Sequence, residues 1–424
     1  VKLFKRKRWY LLFLLLFTNL FAIEPSLERK INIEIEKVKE QLISIRRQIH
    51  QNPELSNREF ETSKLVAEHL KKLGLKVKTD IAHTGVVGLL KGTQSGPTVA
   101  LRADMDALPI EELNDIPYKS KRKGVMHACG HDVHTTIGLG TAIILSKIRN
   151  KIKGNIKFIF QPAEEGAPPG EGGGANLMIK EGVLENPKVS AIFGLHVFPL
   201  INVGTIGYKP KAFMAQANRF EIEIIGKKTH GAAPHLGVDP IVIASEVVLA
   251  FQTIPSRQID AREPVVLSIG IIEGGNRFNI IADKVKLIGT VRVFNPKTNQ
   301  EVRSRMEKIV KGITQSYGAH YTFKYDEGAP PVYNDPDLVK ESVSVIKKLI
   351  GSRNVILLKP QMFAEDFSYY ALKVPAFFYF LGVRNEAKGI IHMLHTPNFN
   401  VDEECIPIGV KLMCHLLLNY LENH

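Results

Sequence analysis

A chain of 424 residues with 44% hydrophobic and 23% charged residues is too long for one ordinary core and too apolar for a disordered polymer, so two domains are expected. Its formal charge of +13 comes from Lys and Arg scattered singly, with neither an Arg-rich arm nor a basic run interleaved with aromatics. That argues against nucleic-acid binding.

The first residues stand apart. Lys2, Lys5, Arg6, Lys7 and Arg8 precede an apolar run from Trp9 to Ala22, too short and one-sided for a bilayer span. The pattern predicts a signal peptide over residues 1–22 and export to the periplasm or outside, with an uncleaved membrane anchor as the alternative. Next, Val38, Leu42, Ile45 and Ile49 recur at helical spacing as far as Pro53. A second amphipathic helix, "TSKLVAEHLKKLGLKVKT", is stopped at Gly74. Buried strands "GVVGLLKG", "PTVALRADMD", "GNIKFIFQPAEE" and "VSAIFGLHV" then alternate with helices "TTIGLGTAIILSKIRN" and "GGANLMIKEGV". Such alternation predicts an α/β domain around a mostly parallel sheet.

The rhythm changes near Ile206. "NRFEIEIIG", "DPIVIASEVVLAFQTI", "PVVLSIGIIEGG", "KVKLIGTVRVF", "TNQEVRSRMEKIVKGITQSYG" and "HYTFKYDEG" read as β-α-β-β-α-β, a ferredoxin-like α+β unit. After it the earlier style returns, with the helix "VKESVSVIKKLI", the strand "VPAFFYFLG" and the final helix "IPIGVKLMCHLLLNYL". The expected organisation is a small domain over residues 208–322, inserted between halves 23–207 and 323–424 of a larger one. Three cysteines make no disulfide framework. Cys405 and Cys414 have the option of pairing, although Cys414 lies in an apolar helical pattern. Cys129 is left as the thiol with a candidate role.

"HACGHDVHTT" (127–136) concentrates the candidate chemistry. Cys129 and His131, two apart in a Gly-containing loop before a helix, are able to face one ion. By spacing alone, any two of His127, Cys129, His131 and His134 qualify. Glu164 and Glu165 follow an apolar strand, at the carboxyl end where α/β sheets place their sites. Adjacent side chains diverge, so one carboxylate can bind metal while the other faces a water. His196 ends another strand and His395 lies in a C-terminal polar loop. Asp104 and Asp106 are candidates to hold a ligand histidine through its second ring nitrogen. Neither H-E-x-x-H nor G-x-S-x-G occurs, which removes the markers of zincins and serine hydrolases. "GEGGGA" does not open directly from a strand, so a dinucleotide site is not expected. A Cys129 nucleophile with His131 or His134 as base is a rival, but it leaves the Glu pair, His196 and His395 unused.

Together, "RADMDALP", "HACGHDVHT", "QPAEEG", "GLHV", "THGAAPHLGVDP", "NIIADKVKLIGTVR", "AEDFSYY" and "LHTPNF" resemble, in order, the M20 family of metallo-amidohydrolases. Specifically, they resemble its branch of aminoacylases, hippurate hydrolases and auxin-conjugate hydrolases. The resemblance implies that Cys129, His131, Glu165, His196 and His395 hold two divalent metal ions (zinc, manganese or cobalt), with Glu164 as general base. It also implies a homodimer formed through the inserted lid, with His230 reaching into the partner's site to bind the tetrahedral intermediate. Asn279 and Arg292 match positions that hold the substrate's amide oxygen or carboxylate. The expected reaction is hydrolysis of a small-molecule N-acyl-L-amino acid by a metal-bridging hydroxide. Alternatives are a metallo-exopeptidase or dipeptidase, or a binding protein without catalysis.

Overall fold

The helix Pro25–Gln51 begins the described part of the chain, residues 25–424 of this computed structural model; the expected signal peptide lies outside the described residues. Ile31, Ile35, Val38, Leu42, Ile45 and Ile49 are its buried stripe, and they pack on helices His131–Lys147 and Cys405–Asn423. Together with helices Phe60–Lys72 and Pro336–Ile350 they cover one face of an eight-stranded sheet. Its four central strands, in the order Lys153–Gln161, Gln94–Asp104, Val189–Asn202 and Ala376–Arg384, are mutually parallel. An antiparallel hairpin, Lys76–Ile81 with Gly85–Lys91, extends one side. Ile206–Tyr208 and Val355–Leu357 extend the other.

The central strands are apolar almost throughout because both faces are covered. Phe377 and Tyr379 point into the core beneath the long helices, whereas Phe378 and Phe380 point into a second core with Phe367 and Tyr370. That alternation is the period of two expected of a pleated strand. Parallel register then sets the level of the site. Asp104 lies opposite Gln161 and His196 opposite Phe380. The Leu101–Phe193 pairing, continued three residues along both strands, brings Asp104 level with His196.

The inserted unit has its own antiparallel sheet, ordered Val265–Gly274, Lys284–Val293, Gln216–Ile225, His320–Glu327. Helices Pro240–Phe251 and Pro296–Ser316 cover one face and share a separate core with Phe220, Ile222, Leu287 and Val291. Both start in the same way. Asp239 and Asn295 accept a backbone N–H from Ile241 and Lys297, and proline occupies the first turn, where its missing N–H costs nothing. The chain is therefore an α/β sheet domain carrying a βαββαβ unit.

Three local features differ from the sequence reading. The strand Lys76–Ile81, mostly exposed, begins two residues after Gly74 and has too little apolar alternation to stand out. The helix expected from Thr135 starts at His131, because Gly130 turns the chain in the left-handed region at φ 87°. Finally, Cys405 and Cys414 are free and buried on one helix. Nine helical residues separate them by roughly 13 Å, too far for a disulfide.

A buried ionic network ties the first helix to the turn around His131. Arg46, 1% exposed, donates from Nε to Asp132 Oδ2 at 2.7 Å, and His50 Nδ1 meets the same oxygen at 2.8 Å. His50 Nε2 continues to Glu112 at 3.2 Å. Removing one member of a buried pair strands the other in low dielectric. Arg46→Ala is expected to lower the unfolding free energy by about 3–5 kcal/mol, read as a shift of the urea midpoint. An unchanged midpoint would show that water or rearrangement solvates Asp132.

Candidate metal centre

The turn between Cys129 and His131 is closed by Gly130. A Cβ there would lie 2.3 Å from Val197 Cγ2, so the strand bearing His196 packs directly on the turn. Cys129 Sγ is consequently 3.3 Å from His196 Nε2 and 3.2 Å from His395 Nε2. His395 is held by its own N–H on Ala128 O at 2.9 Å, with φ at 60°. Its Nε2 also lies 3.1 Å from Glu165 Oε1. Ala163 likewise has positive φ, 53°, immediately before the Glu pair. Two non-glycine residues in this sparsely populated region flank the same cluster, a form of strain that collects at functional sites.

From this turn the two glutamates diverge. Glu165 joins Cys129 and His395, while Glu164 joins Glu365 and Asp366; His131 approaches both glutamates and also the Cys129–His196 pair. The structure thus brings Cys129, His131, Glu164, Glu165, His196 and His395 together from four segments. Asp106 accepts from His131 Nδ1 at 3.1 Å, from the Glu165 N–H at 3.0 Å and from Ser56 Oγ at 2.8 Å. Holding Nδ1 leaves His131 Nε2 directed inward, buried and without a hydrogen-bond partner among the described residues. Asp104 instead takes His134 Nδ1 at 2.6 Å, and His134 Nε2 accepts the Val197 N–H at 2.9 Å. Both nitrogens of His134 are used, which makes it a tie between elements. His127 is buried, with neither ring nitrogen hydrogen-bonded among the described residues, and belongs to none of the ligand groups.

The electrostatics favour a cation. Burial opposes a charge on His131, but Asp104 and Asp106 outweigh it and push the imidazole up to about 10. Burial, then Glu165 and Glu164, push the Cys129 thiol well above its ordinary value. A nucleophilic cysteine needs an electropositive setting, and carboxylates give the opposite. Burial, then Glu365, Glu165 and Asp366, also raise Glu164 well above the usual carboxylate range. A pocket this rich in negative charge retains protons that a divalent cation can displace. The sulfur, imidazole and carboxylate donors, with the orphaned His131 Nε2, fit such an ion.

The remaining expected residues lie on the inserted unit. Thr229–His230 pairs with Ile280–Ile281, and the Gly231 N–H donates to Asn279 O at 2.8 Å, so His230 and Asn279 are held together. His230 is exposed, and its Nδ1 accepts the Ala232 N–H at 3.0 Å. That leaves the Nε2 side free to donate. Asn279 Oδ1 is buried and unpartnered among the described residues. Arg292, half-buried, donates from Nε to Thr290 Oγ1 at 3.2 Å. Among the described residues, no hydrogen bond or ion pair joins these three to the ligand cluster.

Sequence reasoning missed Arg102, Glu365 and Asp366. Arg102 Nη2 reaches Glu365 Oε1 at 2.9 Å and Asp366 Oδ1 at 2.8 Å, and Nη1 pairs with Asp104. The available signal was an arginine inside the apolar strand "PTVALRADMD", which must find a buried counter-charge.

Comparison with known proteins agrees with this geometry. Residues 100–419 match the model of "Peptidase family M20/M25/M40". Thermostable carboxypeptidase 2 of Saccharolobus solfataricus is 42% identical over 395 residues, covering 93% of this chain and 98% of its own. N-acetyl-L-cysteine deacetylase of Bacillus subtilis is 40% identical, covering 88% and 86% respectively. The crystal structure of Bacillus subtilis YXEP protein, described as a dinuclear metal binding peptidase from M20 family, superposes with a TM-score of 0.79. It is 36% identical and covers 92% of this chain and 100% of its own. The chain belongs to the M20 peptidase family, in its amidohydrolase branch, and is a hydrolase acting on amide bonds.

Proposed function

We propose that this enzyme hydrolyses the amide bond of N-acyl-L-amino acids, releasing a carboxylic acid and a free amino acid. The observation that carries the reading is the way the paired glutamates divide, both near His131 but Glu165 grouped with Cys129 and His395, and Glu164 with Glu365 and Asp366. Cys129, His131, Glu165, His196 and His395 would hold two divalent ions. Thiolate and imidazole suit zinc, and the carboxylate also admits manganese or cobalt. When bound, the ions supply an acidified water and positive charge beside the amide oxygen.

The protein's own groups do the rest. Glu164 takes the proton of the attacking water and returns it to the departing nitrogen, since an amine leaves poorly unless protonated. Asp106 fixes the His131 tautomer. His230, with Nε2 free to donate, suits the developing oxyanion. Because no hydrogen bond or ion pair ties it to its own chain's ligands among the described residues, it would serve the site of a second copy. Arg292 supplies a cation for the substrate's carboxylate, and Asn279 an amide for its carbonyl.

The homodimer this requires has a surface available. The outer strand Val265–Gly274 is, among the described residues, a free edge of its sheet with Ile271 and Ile272 exposed, and Phe278 nearby is 99% exposed. Free edges of this kind invite strand pairing. Sedimentation velocity should give a dimer that Ile272→Lys dissociates; a monomeric wild type would remove the role in trans of His230. Export of the chain is proposed from its N-terminal residues alone, and cell fractionation tests it.

The substrate class is tested with metal-loaded enzyme on N-acetyl and N-benzoyl amino acids against dipeptides. The acylated compounds are expected to turn over at least about tenfold faster, the scale of one lost pocket contact. Faster dipeptide cleavage would install the exopeptidase reading, which likeness to a carboxypeptidase supports.

A further inference from the structure

The strained turn ahead of the glutamate pair is gripped from outside the ligand cluster. Ala163 is buried and holds φ at 53°, a conformation that crowds its Cβ against the following carbonyl. Relaxation of this one torsion to negative φ would swing Glu164 and Glu165 out of their separate groups.

The hold comes from Glu59, fully buried at the start of helix Phe60–Lys72. Its Oε1 accepts the Ala163 N–H at 2.9 Å, and its Oε2 accepts the Thr84 hydroxyl. An acidic side chain in this place commonly serves the free N–H groups of its own helix. Glu59 makes no such bond; both oxygens reach across the chain, to residues 25 and 104 positions away. The bond to Ala163 needs only a lone pair on Oε1, so it forms whichever protonation state the carboxyl takes.

The two residues before Glu59 hold the other end of the same loop. Asn57 donates from Nδ2 to Glu171 Oε2 and to Gly172 O, both at 3.0 Å, and Arg58 pairs with Glu171. Three consecutive residues thus clamp the segment from Ala163 to Gly172 at both ends, with the glutamates at its start. The Arg58–Glu171 pair is partly exposed, and such pairs hold weakly. The buried bond of Glu59 is the stronger grip, because a buried N–H left without a partner is costly.

We propose that Glu59 is a positioning residue for both glutamates. Through the Ala163 N–H it keeps that residue at positive φ, and so keeps Glu165 beside Cys129 and His395 while Glu164 faces the reacting amide. The inference rests on the reading of Glu164 as the base.

Four metal-loaded enzymes test it: wild type, Glu59→Ala, Ala163→Gly and the double variant. Glu59→Ala is expected to lower kcat roughly 10²-fold, the scale of a 1 Å misplacement in an active site, with KM within about twofold. Glu59→Gln keeps a carbonyl oxygen for the Ala163 N–H and turns its amide to the Thr84 hydroxyl; it should stay within about threefold of wild type. Glycine adopts positive φ freely, so Ala163→Gly alone should also stay within about threefold. In that background the loss caused by Glu59→Ala should shrink to about tenfold, because the two changes act on one torsion. An undiminished loss there, or Glu59→Gln as damaging as Glu59→Ala, overturns the proposal. The metal-free enzyme gives a reading independent of activity. Amide hydrogen exchange at Ala163 should be at least about tenfold faster in Glu59→Ala than in wild type, and unchanged exchange overturns the proposal. If Glu59→Ala does not fold, Thr84→Val frees Oε2 and should lower kcat about tenfold; wild-type kcat there overturns it equally. Glu164→Gln is run beside them. Full activity of that variant would remove the base reading, whereas a loss at Glu59 relieved by glycine at 163 would still place Glu59 as the hold on this turn.

Discussion

Glu164→Gln is expected to lower kcat by about 10²–10⁴-fold, the range that positioned acid–base groups contribute, with metal content unchanged. Gln matches Glu in shape, and its amide oxygen still accepts the Asp366 N–H that now reaches Oε1. Glu165 and the other proposed ligands are untouched. The loss should therefore fall on kcat and kcat/KM together, as when an interaction made only in the transition state is removed. Steady-state kinetics with metal analysis on the same preparation reads both. Wild-type turnover at full metal occupancy would show that another group moves the proton.

Cys129→Ala should act one step earlier. Its sulfur faces both His196 Nε2 and His395 Nε2, so its loss removes the donor around which the two imidazoles gather. Bound metal is expected to fall well below the wild-type stoichiometry, and activity by at least about 10³-fold, since the acidified water depends on the ions. The fold should survive, because a buried thiol replaced by a methyl leaves a small void whose cost is on the order of 1 kcal/mol. A ligand that binds only the native state raises its stability by mass action. Added divalent metal should therefore raise the melting temperature of wild type and leave the variant nearly unmoved. Equal metal content in the two proteins would take Cys129 out of the ligand set.

How far the site was legible follows from where its residues lie. Cys129 with His131 stood out as ligand types two apart in a loop before a helix, and Glu164 with Glu165 because carboxylates directly followed an apolar strand. His196 and His395 carried little weight singly; they gained it through the family's order of motifs, and they converge on Cys129 in space. The Arg102–Glu365 pair is separated by 263 residues. No local periodicity encodes such a contact, and only the burial of charge inside a strand hints at it. The fold was more legible than its edges. Long amphipathic helices and apolar parallel strands carry strong periodic signals. Ile206–Tyr208 and Val355–Leu357, three residues each, are too short to carry one. The choice between His131 and His134 was likewise closed to spacing, because it depends on Asp104 and the Val197 N–H, which consume both nitrogens of His134.

The order of the central strands bears on how the enzyme is made. Val189–Asn202 pairs with Ala376–Arg384, yet the whole inserted unit is synthesised between them. As the chain emerges N-terminus first, from the ribosome or from an export channel, the edge of Val189–Asn202 stays without its partner until nearly nine-tenths of the chain is out. Such an edge is an aggregation hazard while it waits. The inserted unit, with a core of its own, can fold in that interval and shorten the distance the chain ends must span. His395 arrives last of all, after Cys129, His131, Glu165 and His196. With the proposed ligands, tight capture of metal would come only once these C-terminal residues are in place, making cofactor loading a late step in maturation.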